Sequence, residues 1–186
     1  MLMPRRVGCH FGICCAMFVA GLLPQLATGQ ERNAERRPLV TRGRSVLNLA
    51  GAELLLAAAQ VQAEEMKLKV NIAVVDDGGH LLAFARMDGA RPGSVNTALT
   101  KAISAATMRR PTGPVSTPGA AVDVHLNLSL QNAAAASGGR ITTLVGGVNI
   151  VVDEFTIGAV GVGGATGEQD AEIATAAIAV LQAALK

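Results

Sequence analysis

The spacing of apolar and polar residues changes several times along this chain. It predicts strands and helices most clearly between residues 70 and 111. Residues 70–75 are mostly β-branched and apolar, which predicts a buried strand. The Asp-Asp-Gly-Gly sequence at 76–79 indicates a tight turn, because glycine accepts the positive φ that hairpin turns require. Residues 81–87 then predict a returning strand. Apolar residues at helical spacing predict a helix over 94–108, with Ser94 as its cap.

Three further segments are typical of helices. Residues 48–66 place apolar side chains three and four residues apart, and Asn48 can cap this helix. Residues 168–185 predict a C-terminal helix, which Thr166 and Gln169 open with a capping box. Residues 120–136 have a helical composition, but part of the segment alternates like a strand. We interpret this segment as a helix.

Short apolar runs at 141–145, 149–152 and 155–162 predict three more strands, with turns at Gly146-Gly147 and Asp153-Glu154. Consecutive strands joined by tight turns are antiparallel. Helices before, between and after the strands predict an α+β fold, with one antiparallel sheet of about five strands packed against helices.

The N-terminal residues 1–29 are typical of a secretory signal peptide, with Arg5 and Arg6 before an apolar stretch and small residues at 27–29. An uncleaved membrane anchor is the alternative. Residues 30–38 are charged and predict a flexible tether, and residues 39–186 have the length of one domain. We therefore expect a periplasmic or secreted protein with no stable membrane span after cleavage.

Cleavage would change the chemistry that is available to the chain. All three cysteines lie before residue 29, so the mature protein would have no thiol. Removing Arg5 and Arg6 from the 16 basic residues leaves 14, which equals the 14 acidic residues. A neutral chain with only Phe84 and Phe155 as aromatic residues lacks the basic face and the stacking groups of nucleic-acid-binding proteins. We expect no nucleic-acid partner.

Two long blocks of sequence resemble a known family. They are DDGGHLLAFARMDGA at 76–90, followed by the Lys101 helix and RRPTG, and GGVNIVVDEFTIGAVGVGGATGEQDAEIA at 146–174. Both resemble the GlcG/HbpS-like family of haem-binding or haem-degrading-type domains, to which the C-terminal domain of PduO-type proteins is related. The resemblance implies a profilin-like fold, haem as a possible cofactor and a homo-oligomer. Relatives usually have proline after the GGV of the second block, where this chain has Asn149.

His80 follows the double glycine of the first turn, inside the first block. Histidine can bind haem iron or act as an acid or base near neutral pH. A plain polar turn residue is the alternative interpretation. His125 lies outside both blocks, and the two histidines do not have the local spacing of a zinc site.

Charged residues near the end of the second strand are candidates for anion binding. Arg86, Asp88 and Arg91 cluster there, and a guanidinium can bind a carboxylate or a haem propionate through two hydrogen bonds. An Arg86–Asp88 surface pair is the alternative. Lys101 projects from a flank of its predicted helix, either as an anion anchor or as a solvated lysine. The resemblance covers Arg86, Asp88 and Lys101.

The glycine-rich stretch 158–167 precedes the last helix but does not fit a nucleotide site. No lysine follows its last glycine, as a phosphate-binding loop requires, and a meander precedes it instead of a β-α-β unit. Glu168 and Asp170 complement the positive end of the helix dipole. Alternatively, Glu168 or Asp170 faces a ligand pocket below the glycines, since GEQD belongs to the second block.

These residues and the resemblance lead to two possible functions of different classes. A third possibility is a protein whose function needs no ligand pocket. The first is an exported small-molecule-binding protein for haem or a related tetrapyrrole, with His80 as the iron ligand and Arg86 or Lys101 near the propionates. The second is a cofactor-independent enzyme or accessory factor acting on a small oxygenated metabolite. There, His80 is the acid or base and Arg86 binds a substrate carboxylate, assisted by Glu168 or Asp170. The third is an oligomeric structural protein.

Overall fold

The computed structural model describes residues 43–116 and 119–186. The predicted signal peptide and tether lie outside these residues. The helices and strands are, in chain order, α1 (Leu49–Glu65), β1 (Asn71–Asp76), β2 (Leu81–Arg86), α2 (Ser94–Met108), α3 (Val124–Ala136), β3 (Gly147–Val152), β4 (Phe155–Gly163) and α4 (Gly167–Ala184).

The strands form one sheet in the order β2-β1-β4-β3, and each strand is antiparallel to its neighbours. The α+β class with one antiparallel sheet is therefore confirmed. The sheet has four strands, and the predicted strand at 141–145 is wrong. Its backbone bonds to side chains instead, because the Thr142 amide donates to the Ser104 hydroxyl at 3.2 Å. The predicted Gly146-Gly147 turn is also wrong at its second residue, since Gly147 begins β3.

The two faces of the sheet pack against different helices. Ile72 and Val74 of β1 join the larger core cluster, which includes residues of α1 and α4, while Ala73 and Val75 join a smaller, alanine-rich cluster with α2. This division follows from the two-residue period of a strand. A Cβ atom at Gly161 of β4 would overlap the backbone of α2, so glycine at this position lets the helix lie directly on the sheet.

The helix ends follow local rules in most cases. The Asn48 side chain accepts from the Gly51 amide at 2.9 Å, and Thr166 with Gln169 forms the predicted capping box. Both predictions are confirmed. Ser94 is wrong as a cap, because it is the first residue of α2 and Gly93 occupies the cap position.

The predicted helix over 120–136 exists as α3, but Ala134 is its only buried residue. Val124 and Leu128 are 68% and 61% exposed, so α3 presents large apolar side chains to its surroundings. Within residues 43–116 and 119–186, none of the helices has the length and apolarity needed to cross a bilayer.

Candidate functional site

His80 and Asp76 form the first feature of interest, at the turn between β1 and β2. The Asp76 carboxylate accepts from the backbone amides of Gly78 at 2.9 Å and His80 at 2.8 Å, which holds the turn in shape. The same carboxylate lies 3.2 Å from Nδ1 of the His80 ring. The imidazole is otherwise open, with 73% of the side chain exposed.

The contact with Asp76 determines which ring nitrogen of His80 is available. A carboxylate only accepts hydrogen bonds, so Nδ1 carries the hydrogen and Nε2 of the neutral ring keeps its free electron pair. Partial burial raises the pKa of Asp76. Hydrogen bonds from His80 and Gly78 and the charge of His80 outweigh this effect and hold the pKa below its ordinary value. Asp76 thus stays ionised and can orient the imidazole.

The Gly79 backbone brings this turn against α2. A Cβ at Gly79 would lie 3.1 Å from the Ile103 side chain and 3.3 Å from that of Thr107. Gly79 has a φ of +80°, which glycine adopts without strain. Phe84 of β2 and Leu99 and Ile103 of α2 pack on the smaller core cluster but stay half-buried. We call these three half-buried side chains, one from β2 and two from the same face of α2, the apolar strip.

Lys101 and Asp170 form a second feature, inside the domain. The prediction that Lys101 projects from a flank is wrong, since it is 4% exposed and Asp170 is 1% exposed. Lys101 Nζ donates to Asp170 Oδ2 at 2.7 Å and to the Val162 carbonyl at 2.9 Å. Asp170 Oδ1 accepts from the Ala165 amide at 3.2 Å. The pair therefore ties α2 to α4 and to the end of β4.

Burial raises the pKa of the Asp170 carboxyl, and Lys101 lowers it by less through its hydrogen bond and charge, so the pKa stays above its ordinary value. Gly146 closes the pair off, because a Cβ there would lie 2.6 Å from the Asp170 Cβ and 2.7 Å from Lys101 Nζ. This geometry favours a structural role for the Lys101–Asp170 pair inside the domain over contact with a ligand. Ligand binding by Lys101 and Asp170 stays a prediction.

Arg86, Asp88 and Glu168 are all exposed. Arg86 lies at the opposite end of β2 from His80 and pairs in register with Asn71, so only a ligand lying along the strand could contact both. No ion pair between Arg86 and Asp88 forms among the described residues. Arg91 instead donates to the Gly164 carbonyl at 3.3 Å.

Glu168 and His80 lie at opposite ends of the sheet. The carboxylate partner of His80, Asp76, pairs with Gly158 of β4, whereas α4 begins just after Gly163. The rise of a strand separates Gly158 from Gly163 by about 17 Å. The structure therefore does not bring His80 together with Glu168 or Asp170, as joint action on one small substrate would require.

Several cavities have walls that include none of these residues. The first has a volume of about 520 Å³ and apolar walls from the start of α1, the end of α4 and the sheet, with Leu54, Ile157 and Leu181 among them. The second, of about 410 Å³, lies beside the β3–β4 turn and has Arg44, Arg109 and Glu154 in its walls. Among the described residues, no group of three or more metal-ligating side chains comes together.

Several residues of these sites were missed by the sequence analysis. Asp76 was interpreted only as a turn residue, although an aspartate four residues before a histidine, across two glycines, could have indicated the pair. Arg44 and Arg109 carry no recognisable motif. Arg44 lies 3.2 Å from the Asp77 carboxylate and 5.3 Å above the Phe155 ring, contacts that only the folded chain creates.

Comparison with known proteins places this chain in a family. Residues 47–179 match the family model described as "Haem degrading protein HbpS-like". Protein GlcG of Escherichia coli K12 is 42% identical over 117 residues, which are 63% of this chain and 81% of that protein.

Two solved structures are similar to the whole domain. A double mutant of HbpS from Streptomyces reticuli has a TM-score of 0.61 and 30% identity, covering 77% of this chain and 96% of that one. A structure described as a complex of PduOC with haem has a TM-score of 0.62 and 30% identity, covering 73% of this chain and 95% of that one.

Proposed function

Because this chain belongs to the HbpS-like family, we propose that it binds haem or a related tetrapyrrole, with His80 as the iron ligand. The likeness to the PduOC–haem complex is the observation that carries the proposal. The exposed, carboxylate-oriented imidazole of His80 is the feature of this chain that fits it.

The His80–Asp76 pair has the chemistry of a metal-ligating histidine. Such histidines usually donate their second ring N–H to a carboxylate or carbonyl, which fixes the tautomer and makes the ligating nitrogen more basic. Asp76 holds the hydrogen at Nδ1 in this way, and Nε2 is left for the metal. The Asp76 carboxylate is itself held by two backbone amides, so the ring is oriented by the turn as a whole.

The surface next to His80 also suits a flat apolar ligand. The half-buried strip of Phe84, Leu99 and Ile103 borders β2, which runs from the His80 turn to Arg86. A tetrapyrrole lying along this strip would cover apolar surface that is otherwise partly open to water. Arg86, at the end of β2 away from His80, would pair with a haem propionate. Lys101 would have to leave Asp170 to do so, which makes it a poorer candidate.

When bound, haem supplies an iron centre whose reactivity its ligands tune. The chain's own residues bind and orient it: His80 offers Nε2, and Asp76 keeps the proton on Nδ1. The strip of Phe84, Leu99 and Ile103 excludes water from one side of the ligand.

A haemin titration of the purified protein, followed in the Soret band, tests the proposal. We expect a saturable shift with one haem per subunit. His80→Ala should abolish it, whereas the control His125→Ala, which removes an exposed histidine on α3, should not. A signal that does not saturate, or that both variants retain equally, would contradict the assignment.

The enzyme alternative finds less support. His80 with Asp76 could act as an acid or base, but Glu168 and Asp170 lie at the other end of the sheet. Any turnover would therefore depend on His80 without these two carboxylates. A substrate screen in which Glu168→Gln lost activity along with His80→Ala would reverse this conclusion.

We also infer that the protein is exported and forms a homo-oligomer. The apolar leader at 1–29 supports export, and N-terminal sequencing of the protein recovered from a cell envelope or medium fraction tests it by locating the cleavage point. The exposed apolar residues of α3 support self-association, because large uncovered apolar patches commonly mark interaction surfaces.

A further inference from the structure

The cavity of about 410 Å³ beside the β3–β4 turn has walls of mixed chemistry. Arg44, Arg109 and Glu154 supply charge, Asn149 and Thr156 supply hydrogen-bonding groups, and Val151 and Phe155 supply apolar surface. Its volume lies within the range of small-molecule sites, and a few polar groups in a partly apolar wall are typical of them. The haem proposal uses none of these residues.

Two of these wall residues have strained backbones. Arg109 has a φ of 55° and Glu154 a φ of 66°, in the left-handed region that side-chain-bearing residues rarely adopt. Only two other non-glycine residues in the described part of the chain have positive φ, Lys67 and Asp153. Glycine would remove the strain at either cavity position. Both φ values have a local cause, since Arg109 is the left-handed cap that ends α2 and Glu154 is the second residue of the two-residue turn between β3 and β4.

The two strained residues carry opposite charges, yet they do not pair with each other. Neither Arg109 nor Glu154 forms an ion pair or a side-chain hydrogen bond with any residue that the structure describes. Arg44, in contrast, is engaged by Asp77, by the Thr156 carbonyl at 3.4 Å and by the Phe155 ring. The cavity therefore offers one uncommitted guanidinium and one uncommitted carboxylate.

The apolar part of the wall is held in place. Phe155 is 44% exposed and Val151 is 42% exposed, so both retain surface for a ligand. Arg44 covers one face of the Phe155 ring, which limits the movement of both side chains. Asn149 of β3 donates to the Thr156 hydroxyl at 3.3 Å, which restricts the orientation of its amide.

We propose that this cavity binds a small zwitterion of the free α-amino acid class with an apolar side chain. The ligand carboxylate pairs with the Arg109 guanidinium, whose planar fork matches a carboxylate. The ligand ammonium pairs with the Glu154 carboxylate, and the apolar side chain lies on Val151 and Phe155. This proposal does not rest on haem binding at His80, because it uses a different set of side chains.

The test is isothermal titration calorimetry of the purified protein with L-phenylalanine and L-leucine. Two further probes each lack one charge: 3-phenylpropionate has no ammonium and 2-phenylethylamine has no carboxylate. We expect at least one of the amino acids to bind with a Kd below about 1 mM. We expect each one-charge probe to bind about threefold to fivefold more weakly, because it lacks one of two ion pairs and both wall residues that form them, Arg109 and Glu154, are exposed.

Variants then locate the site. Arg109→Gln and Glu154→Gln should each lower the affinity for the amino acid about threefold to fivefold, the size of one exposed ion pair. Arg110→Gln is the matched control, because it removes the same charge from the next residue, which faces a different gap beside Pro111 and Ile141. Circular dichroism melting confirms that the variants fold.

The outcomes separate clearly. If neither amino acid binds saturably, the proposal is wrong. If 3-phenylpropionate binds as tightly as L-phenylalanine, Glu154 has no role and the zwitterion assignment fails. If Arg110→Gln weakens binding as much as Arg109→Gln, the ligand lies elsewhere. Haem binding should be unchanged in the Arg109 and Glu154 variants, so each proposal can fail without the other.

Discussion

Lys101 and Asp170 bind each other inside the domain, with Nζ 2.7 Å from Oδ2 and both side chains almost completely buried. The two residues lie 69 positions apart in the sequence. Lys101 Nζ also donates to the Val162 carbonyl, and Asp170 Oδ1 accepts from the Ala165 amide. Removal of one charge would leave the other buried and unpaired.

Lys101→Met should therefore lower the free energy of unfolding by about 3–5 kcal/mol at neutral pH, since breaking a buried pair exposes the full desolvation cost of the remaining ion. Urea denaturation followed by circular dichroism measures this change. The double variant Lys101→Met/Asp170→Leu is the control and should recover most of the loss. A loss below about 1 kcal/mol would mean that the pair is not buried in solution.

The effect of Lys101→Met should also depend on pH. Burial raises the pKa of Asp170, so the folded protein holds this proton more tightly than the unfolded chain. Above the folded pKa, Asp170 is charged and the full desolvation cost of this buried charge applies. The cost decreases as the pH falls through the folded pKa, because Asp170 becomes protonated. The destabilisation by Lys101→Met should thus shrink under acidic conditions. A pH series of the urea midpoints for both proteins measures it, and an unchanged difference would contradict the role of Asp170.

Asp76 should show the opposite dependence. Its folded pKa lies below the ordinary value of 3.8, so its charge stabilises the fold above pH 3.8 and the stabilisation disappears as the pH falls through the lower, folded pKa. Asp76→Asn keeps an oxygen that accepts from the Gly78 and His80 amides but lacks the charge. The native protein should be more stable than Asp76→Asn at neutral pH, and the two should converge in acid. Thermal melts of both proteins from neutral to acidic pH measure the difference in melting temperature. A difference that persists in acid would contradict this role of the Asp76 charge.

Gly161→Ala tests the close packing of α2 on β4. The added Cβ would overlap the backbone of Ala98 and Ala102, which cannot move aside as a flexible side chain could. We expect a loss of about 1–3 kcal/mol or more, or failure to fold. Gly113→Ala is the control, since its nearest neighbour would be a Val145 methyl at an ordinary 3.5 Å. Equal melting temperatures of the two variants would refute the packing argument.

Arg109→Gly should stabilise the fold while weakening amino-acid binding. Relief of a left-handed residue gains about 1–2 kcal/mol, and the greater freedom of glycine in the unfolded chain offsets roughly half of it. We expect a net gain of about 0.5–1 kcal/mol in denaturant titrations. Lys67→Gly, at a φ of 58° after α1, should give a similar gain without any change in ligand affinity. Destabilisation by Arg109→Gly alone would mean that the guanidinium supports the fold.

The apolar face of α3 should decide the oligomeric state. Leu128→Ser, combined with Val124→Ser, should shift the protein to a smaller species in light scattering after gel filtration, because both side chains are exposed on the helix. Leu49→Ser on α1 is the control, since it removes another exposed apolar side chain, 56% accessible, without touching α3. An unchanged mass for the double variant would contradict the proposal that α3 mediates self-association.

Much of the fold could be predicted because its signals are local. Three of the helices, the β1–β2 hairpin and the caps at Asn48 and Thr166 follow from periodicity and from hydrogen bonds within three residues. The fourth helix, α3, followed from composition alone, because part of its pattern alternates like a strand. The fifth strand was wrong for a non-local reason, since Ser104 and Thr112 of distant segments bind the backbone at Thr142 and Gly147. Ser94 met the compositional rule for a cap, but Gly93 already held that position.

The sequence alone determined where the helices and the four observed strands lie to within a few residues, that the fold is α+β and that His80 stands at the first turn, because short-range backbone preferences decide these features. Only the tertiary structure decided that Lys101 lies inside the domain with Asp170, that His80 and Glu168 are at opposite ends of the sheet, and that Arg109 and Glu154 share a cavity. These relationships join residues far apart in the chain, and they depend on strand order and helix packing, which no local pattern encodes.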